Sequence, residues 1–218
     1  MFVVFVCVLH SLYSLCAFGE AMKIEIKEKS EKELKFELSD TTTTFANLLR
    51  RYAIGRVPTF AIDDVTFYEN NTSFFDEYIA HRLGLIPLTT PTKVEEGEEV
   101  SFMIESNEPG VIYSRDMKST SKEIVPVSEN IPIIKLREDQ SIRLEAKAIL
   151  GVGAEHAKWQ PGIVSYGYDE EGTYRFIIES FGQMSAKDIL KIALKKIEEN
   201  ATDIAKQLEK VAKETKEK

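Results

Sequence analysis

Cysteine is almost absent from this chain, and where it occurs it is confined to one end. Among 218 residues only Cys7 and Cys16 carry a thiol. From Met22 onward there is none, which excludes from the body of the protein a disulfide framework, a thiolate zinc site and an iron–sulfur cluster. Histidine is nearly as scarce: three in all, with only His81 and His156 beyond the first segment. No H-x-x-H or H-E-x-x-H spacing sets two imidazoles on one helix face for a metal. Basic charge is in deficit as well. With 28 Lys and Arg against 36 Asp and Glu, the net charge is −8. Free-standing duplex binding depends on Lys and Arg displacing phosphate counterions, so contact with nucleic acid is expected only through a partner.

Catalytic signatures are missing too. The eleven residues GVGAEHAKWQP, 151–161, bring together two glycines, a histidine, a lysine and the single tryptophan. They lack the third glycine of a dinucleotide fingerprint and the G-K-[ST] of a P-loop, and Pro161 stops a helix from following. His81 lies about one helical turn after Asp76 and Glu77, a spacing compatible with a general base, but no serine or cysteine elbow accompanies it. The acidic run KVEEGEEVSF (93–102) reads as a solvated edge strand or loop rather than a metal site. The residues by themselves assemble no catalytic constellation.

The first 21 residues are apolar, with Glu20 the one charge. The run is short for a membrane span, has no basic flank, and ends in a poor cleavage site. Two readings follow. One is a start codon placed too early, with the protein beginning at Met22 and residues 1–21 outside the fold. The other is a cleaved signal on an exported binding or enzymatic domain, in which case Asn70, Asn71 and Asn200 head glycosylation sequons. The first is preferred.

What is present is a mixed α/β pattern. KIEIKEKSEKELKFELS alternates apolar and charged residues around a polar turn, as a β-hairpin does. Asp40 and the threonines after it suit a helix N-cap, and Phe45, Leu48, Leu49, Tyr52 and Ala53 fall at helical spacing before Gly55. VPTFAIDDVTFYEN is strand-like. A second helix is predicted from near Ser73 to Gly84. Residues 92–150 read as short strands with regular turns, and GIVSYGYDEEGTYRFIIES as a hairpin turning at Asp169–Gly172. Ser185 and Asp188 form an S-x-x-D capping box. Beyond it Leu190, Leu194, Ile197, Ala201, Ile204, Leu208 and Val211 alternate by four and three, a heptad seam. Such a seam fits either a helix lying on its own sheet or one packed against a partner helix.

Four separated stretches resemble the D subunit of archaeal DNA-directed RNA polymerase, a family related to the third-largest subunit of eukaryotic RNA polymerase II and to the amino-terminal part of the bacterial alpha subunit. They are FANLLRRYAIGRVPTFAID (45–63), ENNTSFFDEYIAHRLGLIPL (69–88), IPIIKLREDQSIRLEAKAILGVGAEHAKWQP (131–161) and FIIESFGQMSAKDILKIALKKI (176–197). The resemblance implies an α+β fold. A discontinuous dimerisation domain, residues 22–60 plus 171–218, would hold an antiparallel sheet with N-terminal and long C-terminal helices. A β-rich domain, 61–170, would be inserted in it.

The resemblance also implies a role. The chain would be a non-catalytic cytoplasmic scaffold that pairs with the L subunit and carries the two large catalytic subunits, with small subunits N and P joining. It would bind no membrane and no specific nucleic acid directly. Nucleotidyl transfer and its magnesium would belong to the large subunits. Many D subunits carry a cysteine-rich ferredoxin-like insertion; here no cysteine stands in its place, so no iron–sulfur cluster is expected. The assembly interface implied comprises Phe45, Leu48, Leu49, Arg50 and Arg51 on the first helix, with the two arginines toward the second-largest subunit. It further includes His81 and Arg82, then His156, Lys158 and Trp159 facing a neighbouring subunit, and Leu190, Leu194, Ile197, Ile204 and Leu208 along the seam.

Overall fold

In a computed structural model of the chain, residues 22–93, 97–169 and 172–216 are described, with side chains through residue 211. The apolar leader, the centre of the acidic run and the tip of the last hairpin lie outside these residues. In chain order the elements are β1 (Lys23–Lys29), β2 (Glu33–Ser39), α1 (Thr43–Gly55), β3 (Pro58–Asn70), α2 (Asp76–Gly84), β4 (Glu99–Ser106) and β5 (Gly110–Tyr113). There follow β6 (Lys118–Ser119), β7 (Pro132–Leu136), β8 (Ile142–Val152), β9 (Gly162–Tyr168), β10 (Tyr174–Ser180) and α3 (Ala186–Lys216). The architecture is α+β with antiparallel sheets, as the sequence predicts.

One sheet has the order β1-β2-β10-β9, antiparallel throughout. Alternation along β2 and β10 turns Leu34, Phe36 and Leu38, and Tyr174, Phe176 and Ile178, to one face, where all six are buried. Phe36 and Phe176 are direct cross-strand partners, and their rings stack at 4.9 Å with an interplanar angle of 3°. Helix α1 covers this face with Ala46, Leu49 and Ala53, and α3 with Ala186, Ile189, Leu190 and Ala193. The predicted start of α1 is realised at Thr42, whose hydroxyl accepts from the Phe45 amide at 3.3 Å. At α3 only half of the expected box forms. The Asp188 amide donates to Ser185 Oγ at 3.1 Å, while the Ser185 hydroxyl itself donates to the Asp188 carboxylate at 2.6 Å.

The second sheet has the order β3-β8-β4-β6, beside the two-stranded β5-β7 pair and α2. β3 and β8 pair from Pro58 opposite Val152 to Asn70 opposite Ile142, with bulges at Ile62/Asp64 and Phe67/Glu69. Phe60, Ile62, Phe102, Ile104 and Leu144 form this core with Ile79 and Leu83 of α2. Helix α2 begins at Asp76 rather than near Ser73. The Asn70 side chain accepts from the Thr72 amide at 3.1 Å and Thr72 Oγ1 from the Phe74 amide at 3.2 Å. Those side-chain turns hold the backbone out of the helix until Phe75.

Two separate hydrophobic clusters result, one within each sheet unit. The expected limits of the inserted domain shift accordingly. β3 enters the second sheet at Pro58, before residue 61. The limit expected between residues 170 and 171 separates β9 from β10, which pair with each other in the first sheet. A hairpin closed by its own ladder cannot be shared between two units, so the return crossing lies between Val152 and Gly162.

Removing a ring from the Phe36–Phe176 stack leaves a cavity under two helices. Phe176→Ala is expected to cost about 3–5 kcal/mol. Lys35→Ala, on the opposite face of β2, should change stability by about 0.5 kcal/mol or less. Urea denaturation of the two variants checks the difference.

Candidate functional site

Three helices and one loop hold the residues singled out by sequence. On α1, Leu49 is buried in the chain's own core, Phe45 is half-buried against it, and Leu48 is exposed. Arg50 turns back to the Asn47 side-chain oxygen at 2.9 Å, and Arg51 is exposed. On α3 the heptad seam divides. Leu190 is buried and Ile197 packs at the margin of the core, whereas Leu194, Ile204 and Leu208 are 40%, 59% and 65% exposed. Midway along α3, Asn200 Nδ2 ties the helix to the sheet unit by donating to the Tyr52 hydroxyl at 2.9 Å. A 31-residue helix is about 46 Å long, and past this tie its described side chains are all exposed.

A further part of this surface was missed at the sequence level. Ile24 and Ile26 of β1 stand directly opposite Leu38 and Phe36 of β2. Direct partners in an antiparallel ladder share a face, so both isoleucines lie on the helix-bearing side of the sheet. Neither helix reaches them, and they are 53% and 57% exposed. The alternation of KIEIKEK signals which face they take, but not that the face is left bare. Edge strand and helix seam together are an apolar surface that the described residues build and do not cover.

The 151–161 loop is a different object from the one expected. A Cβ at Gly151 would strike the Trp159 ring, and one at Gly153 would strike the Ile54 carbonyl. The missing side chains therefore make a slot into which the indole folds, 7% exposed, with its N–H donating to the Ile149 carbonyl at 3.3 Å. Lys158 Nζ donates to the Ile62 carbonyl at 3.1 Å, pairs with Asp63, and lies 4.3 Å from the centre of the indole. Trp159 and Lys158 thus turn inward, and the expected polar-aromatic surface toward a neighbour is corrected. Of the three residues only His156 is exposed, and its Nδ1 caps the 3-10 turn Ala157–Trp159 by accepting from the Lys158 amide at 3.1 Å.

The same geometry disposes of a phosphate cradle. Such a cradle needs backbone amides aimed outward. Those of Ala154, Glu155, Trp159 and Gln160 donate to the carbonyls of Gly55, Val152, His156 and Ala157. The loop is a clasp between the two sheet units. Thr59 Oγ1 donates to the Trp159 carbonyl at 2.7 Å, the Phe60 amide to Thr90 Oγ1 at 3.0 Å, and the Thr90 amide to the Gln183 carbonyl at 2.8 Å. Thr59, Thr90 and Gln183 are all buried, where a satisfied hydrogen bond contributes about 1 kcal/mol and an orphaned partner costs more.

His81 is exposed near the end of α2, and Arg82 lies half-buried beside it. Of the two carboxylates expected to orient His81, Asp76 and Glu77, Asp76 is engaged elsewhere: its Oδ1 accepts from Asn70 Nδ2 at 2.6 Å. Two carboxyls have displaced acidities: Glu145 on an outer strand face, and Glu199 at the edge of a cleft between α3 and the ends of β3 and β8. Hydrogen bonds from Ser101 and Tyr68 hold the Glu145 carboxyl below its ordinary range, and one from Lys196 does the same for Glu199. Among the described residues no three of His, Cys, Asp and Glu gather as a metal-ligand set, and no helix is long and apolar enough to cross a membrane.

Because Trp159 is a packing residue, its loss should be felt by the isolated chain. Trp159→Ala is expected to cost about 3–5 kcal/mol, and Gly151→Ala at least 1–3 kcal/mol, roughly, by overpacking the slot. Glu155→Ala, an exposed control in the same loop, should stay within about 0.5 kcal/mol. Thermal unfolding of the three variants tests this assignment.

Residues 65–164 match the RNA polymerase Rpb3/RpoA insert domain. DNA-directed RNA polymerase subunit Rpo3 of Pyrococcus furiosus is 44% identical over 182 residues, covering 80% of this chain and 68% of that protein. The Rpo3 subunit of Methanocaldococcus jannaschii is 42% identical over 192 residues, covering 86% of this chain and 98% of that protein. For the Rpo3 subunit of Pyrococcus horikoshii the identity is 46% over 154 residues, 67% of this chain and 60% of that protein. With relatives this similar over most of its length, and with residues 65–164 matching the insert domain, the chain belongs to the Rpo3, or D, family of archaeal DNA-directed RNA polymerase subunits.

Proposed function

We propose that this chain is a non-catalytic assembly subunit of RNA polymerase, which pairs with the small L subunit through the apolar surface of β1 and α3. The pair then carries the second-largest and largest subunits, with N and P at its margins, in the cytoplasm. The observation that carries this reading is the uncovered face: Ile24 and Ile26 on the sheet edge, and Leu194, Ile204 and Leu208 along α3. Burying side chains of this kind stabilises a complex by roughly 1.5–3 kcal/mol each. A surface of that worth points to a permanent partner rather than to solvent. Arg50 and Arg51, in the second half of α1, suit contact with the second-largest subunit. Membership of a polymerase subunit family gives the exported-domain reading of the leader no support.

In this reading no step of nucleotidyl transfer falls to this chain. The acidic ligands and magnesium of the reaction would lie on the large subunits, and no iron–sulfur cluster would be bound, since the body has no thiolate to hold one. The inward-facing Trp159 contributes by fixing one sheet unit against the other, so that both present their surfaces at one angle.

Co-expression with an L-type subunit should give a one-to-one complex, while the chain made alone self-associates. Leu194→Asp with Ile204→Asp removes two apolar contacts, a loss of roughly 3–6 kcal/mol or about a hundredfold to ten-thousandfold in affinity. Both side chains are exposed in the single chain, so its helical circular dichroism should not change. A complex of undiminished affinity would show that the seam is not the interface. Co-purification of the tagged chain with polymerase from native cells tests the reading as a whole.

A further inference from the structure

Helix α2 carries a second uncovered apolar face, on the other sheet unit. Phe74, Phe75, Tyr78 and Leu85 line it at helical spacing, and Phe75 is 79% exposed. Phe74 and Tyr78 stack at 5.2 Å. Phe75 occupies the N-cap of α2 without any side-chain cap bond, a position where Ser, Thr, Asp or Asn stabilises a helix. An aromatic ring that forgoes that gain and stands in water adds little to the chain's own stability. Beside this face runs a groove of about 400 Å³ between α2 and β7, walled by Ile131, Pro132 and Ile133.

At the bottom of the groove is a cation without a counter-charge. Arg82 Nη2 donates to the Pro132 carbonyl at 2.6 Å and Nη1 lies 3.4 Å from the Tyr78 hydroxyl, both neutral oxygens. Its Nε is shut off from solvent and has no partner among the described residues. No carboxylate among them comes within ion-pair distance of the guanidinium, and its neighbour His81 adds no acid. A guanidinium with a shielded, unused donor in an apolar setting is stabilised most by a carboxylate, whose two oxygens match its planar fork. The half-buried guanidinium also lies 5.8 Å from the centre of the Tyr78 ring, and a carboxylate would add the charged partner it lacks among the described residues. Aromatic residues and arginine around a pocket also make up the composition of an interface hot spot.

We infer that the α2 groove receives an apolar segment of another polymerase subunit that bears an Asp or Glu, and that Arg82 recognises this carboxylate. The inference rests on the assembly reading above and adds the chemistry of one contact to it. The rings of Phe74, Phe75 and Tyr78 bury the apolar part of the segment. The carboxylate closes over the guanidinium, meets the idle Nε–H, and removes the charge imbalance as water leaves the groove.

The test uses the assembled polymerase. The photoreactive residue p-benzoylphenylalanine is placed at Leu85, on the groove's rim, with Arg82 unchanged, and the crosslinked peptide is identified by mass spectrometry. One dominant crosslink to another subunit is expected, in a segment with apolar residues and an acidic residue. Arg82→Glu should then lower incorporation of that subunit at least tenfold, and reversing the identified acid to Arg should restore it. The inference is overturned by an assembled polymerase that gives no crosslink, by a crosslink between two copies of this chain, or by a segment without a carboxylate. It is equally overturned if charge reversal is not rescued. If the labelled chain is found outside polymerase altogether, the assembly reading fails first and this inference with it. The crosslink is read with Arg82 in place, so a folding defect of Arg82→Glu does not affect it.

Discussion

The slot at Gly151 is the constraint on which the arrangement of the molecule depends. Only a residue without a Cβ lets the Trp159 ring lie against the end of β8, and only Gly153 lets the loop pass the Ile54 carbonyl at the end of α1. From that seat the loop reaches Thr59 through the Trp159 carbonyl, and Thr90 continues the line from Phe60 to Gln183 before α3. Each of these groups is buried and polar, so each is satisfied only at one separation of the two sheet units. The two hydrophobic clusters do not merge across this line. Directional bonds at the junction therefore do what a shared core does in a single domain: they set an angle.

Within the first unit the chain builds more apolar surface than it covers. Four strands present one face, but α1 and the first half of α3 shield only the centre of it. Ile24 and Ile26 on the edge strand and the far half of α3 are left over. The second unit repeats the pattern on a smaller scale, with the aromatic stripe at α2 beside a guanidinium that has no carboxylate partner among the described residues. Cores are complete inside each unit, and the surplus is gathered on particular faces rather than scattered. A chain organised this way is suited to be held between partners, with its own cohesion at the clasp.

Much of this was legible without coordinates because it follows from short-range rules. The period-two alternation of KFELS and YRFIIES fixes which residues turn inward, and the threonine cap and four–three spacing fix α1 and α3. The misreadings have long-range causes. The start of α2 moved because Asn70 and Thr72 satisfy their own backbone first. The limit of the insert moved because β9 pairs with β10. Trp159 and Lys158 were taken for a surface because nothing in GVGAEHAKWQP tells that the partner of the indole is the glycine eight residues earlier, approached through a turn. Nor does KIEIKEK reveal that its isoleucines lie beyond the reach of both helices.

By itself, then, the sequence determined the classes of element, their inward faces, the lack of cysteine from Met22 onward and, through its four long stretches, the family. Those properties depend on residue type and local spacing, which the chain carries in one dimension. The tertiary structure alone decided which apolar residues stay uncovered, which polar groups meet across the junction, and whether an aromatic ring faces a partner or its own backbone. These depend on which distant segments come to lie against one another. A side chain's burial is a property of the space around it, and that space is filled here by residues as far apart in sequence as Thr59 and Trp159.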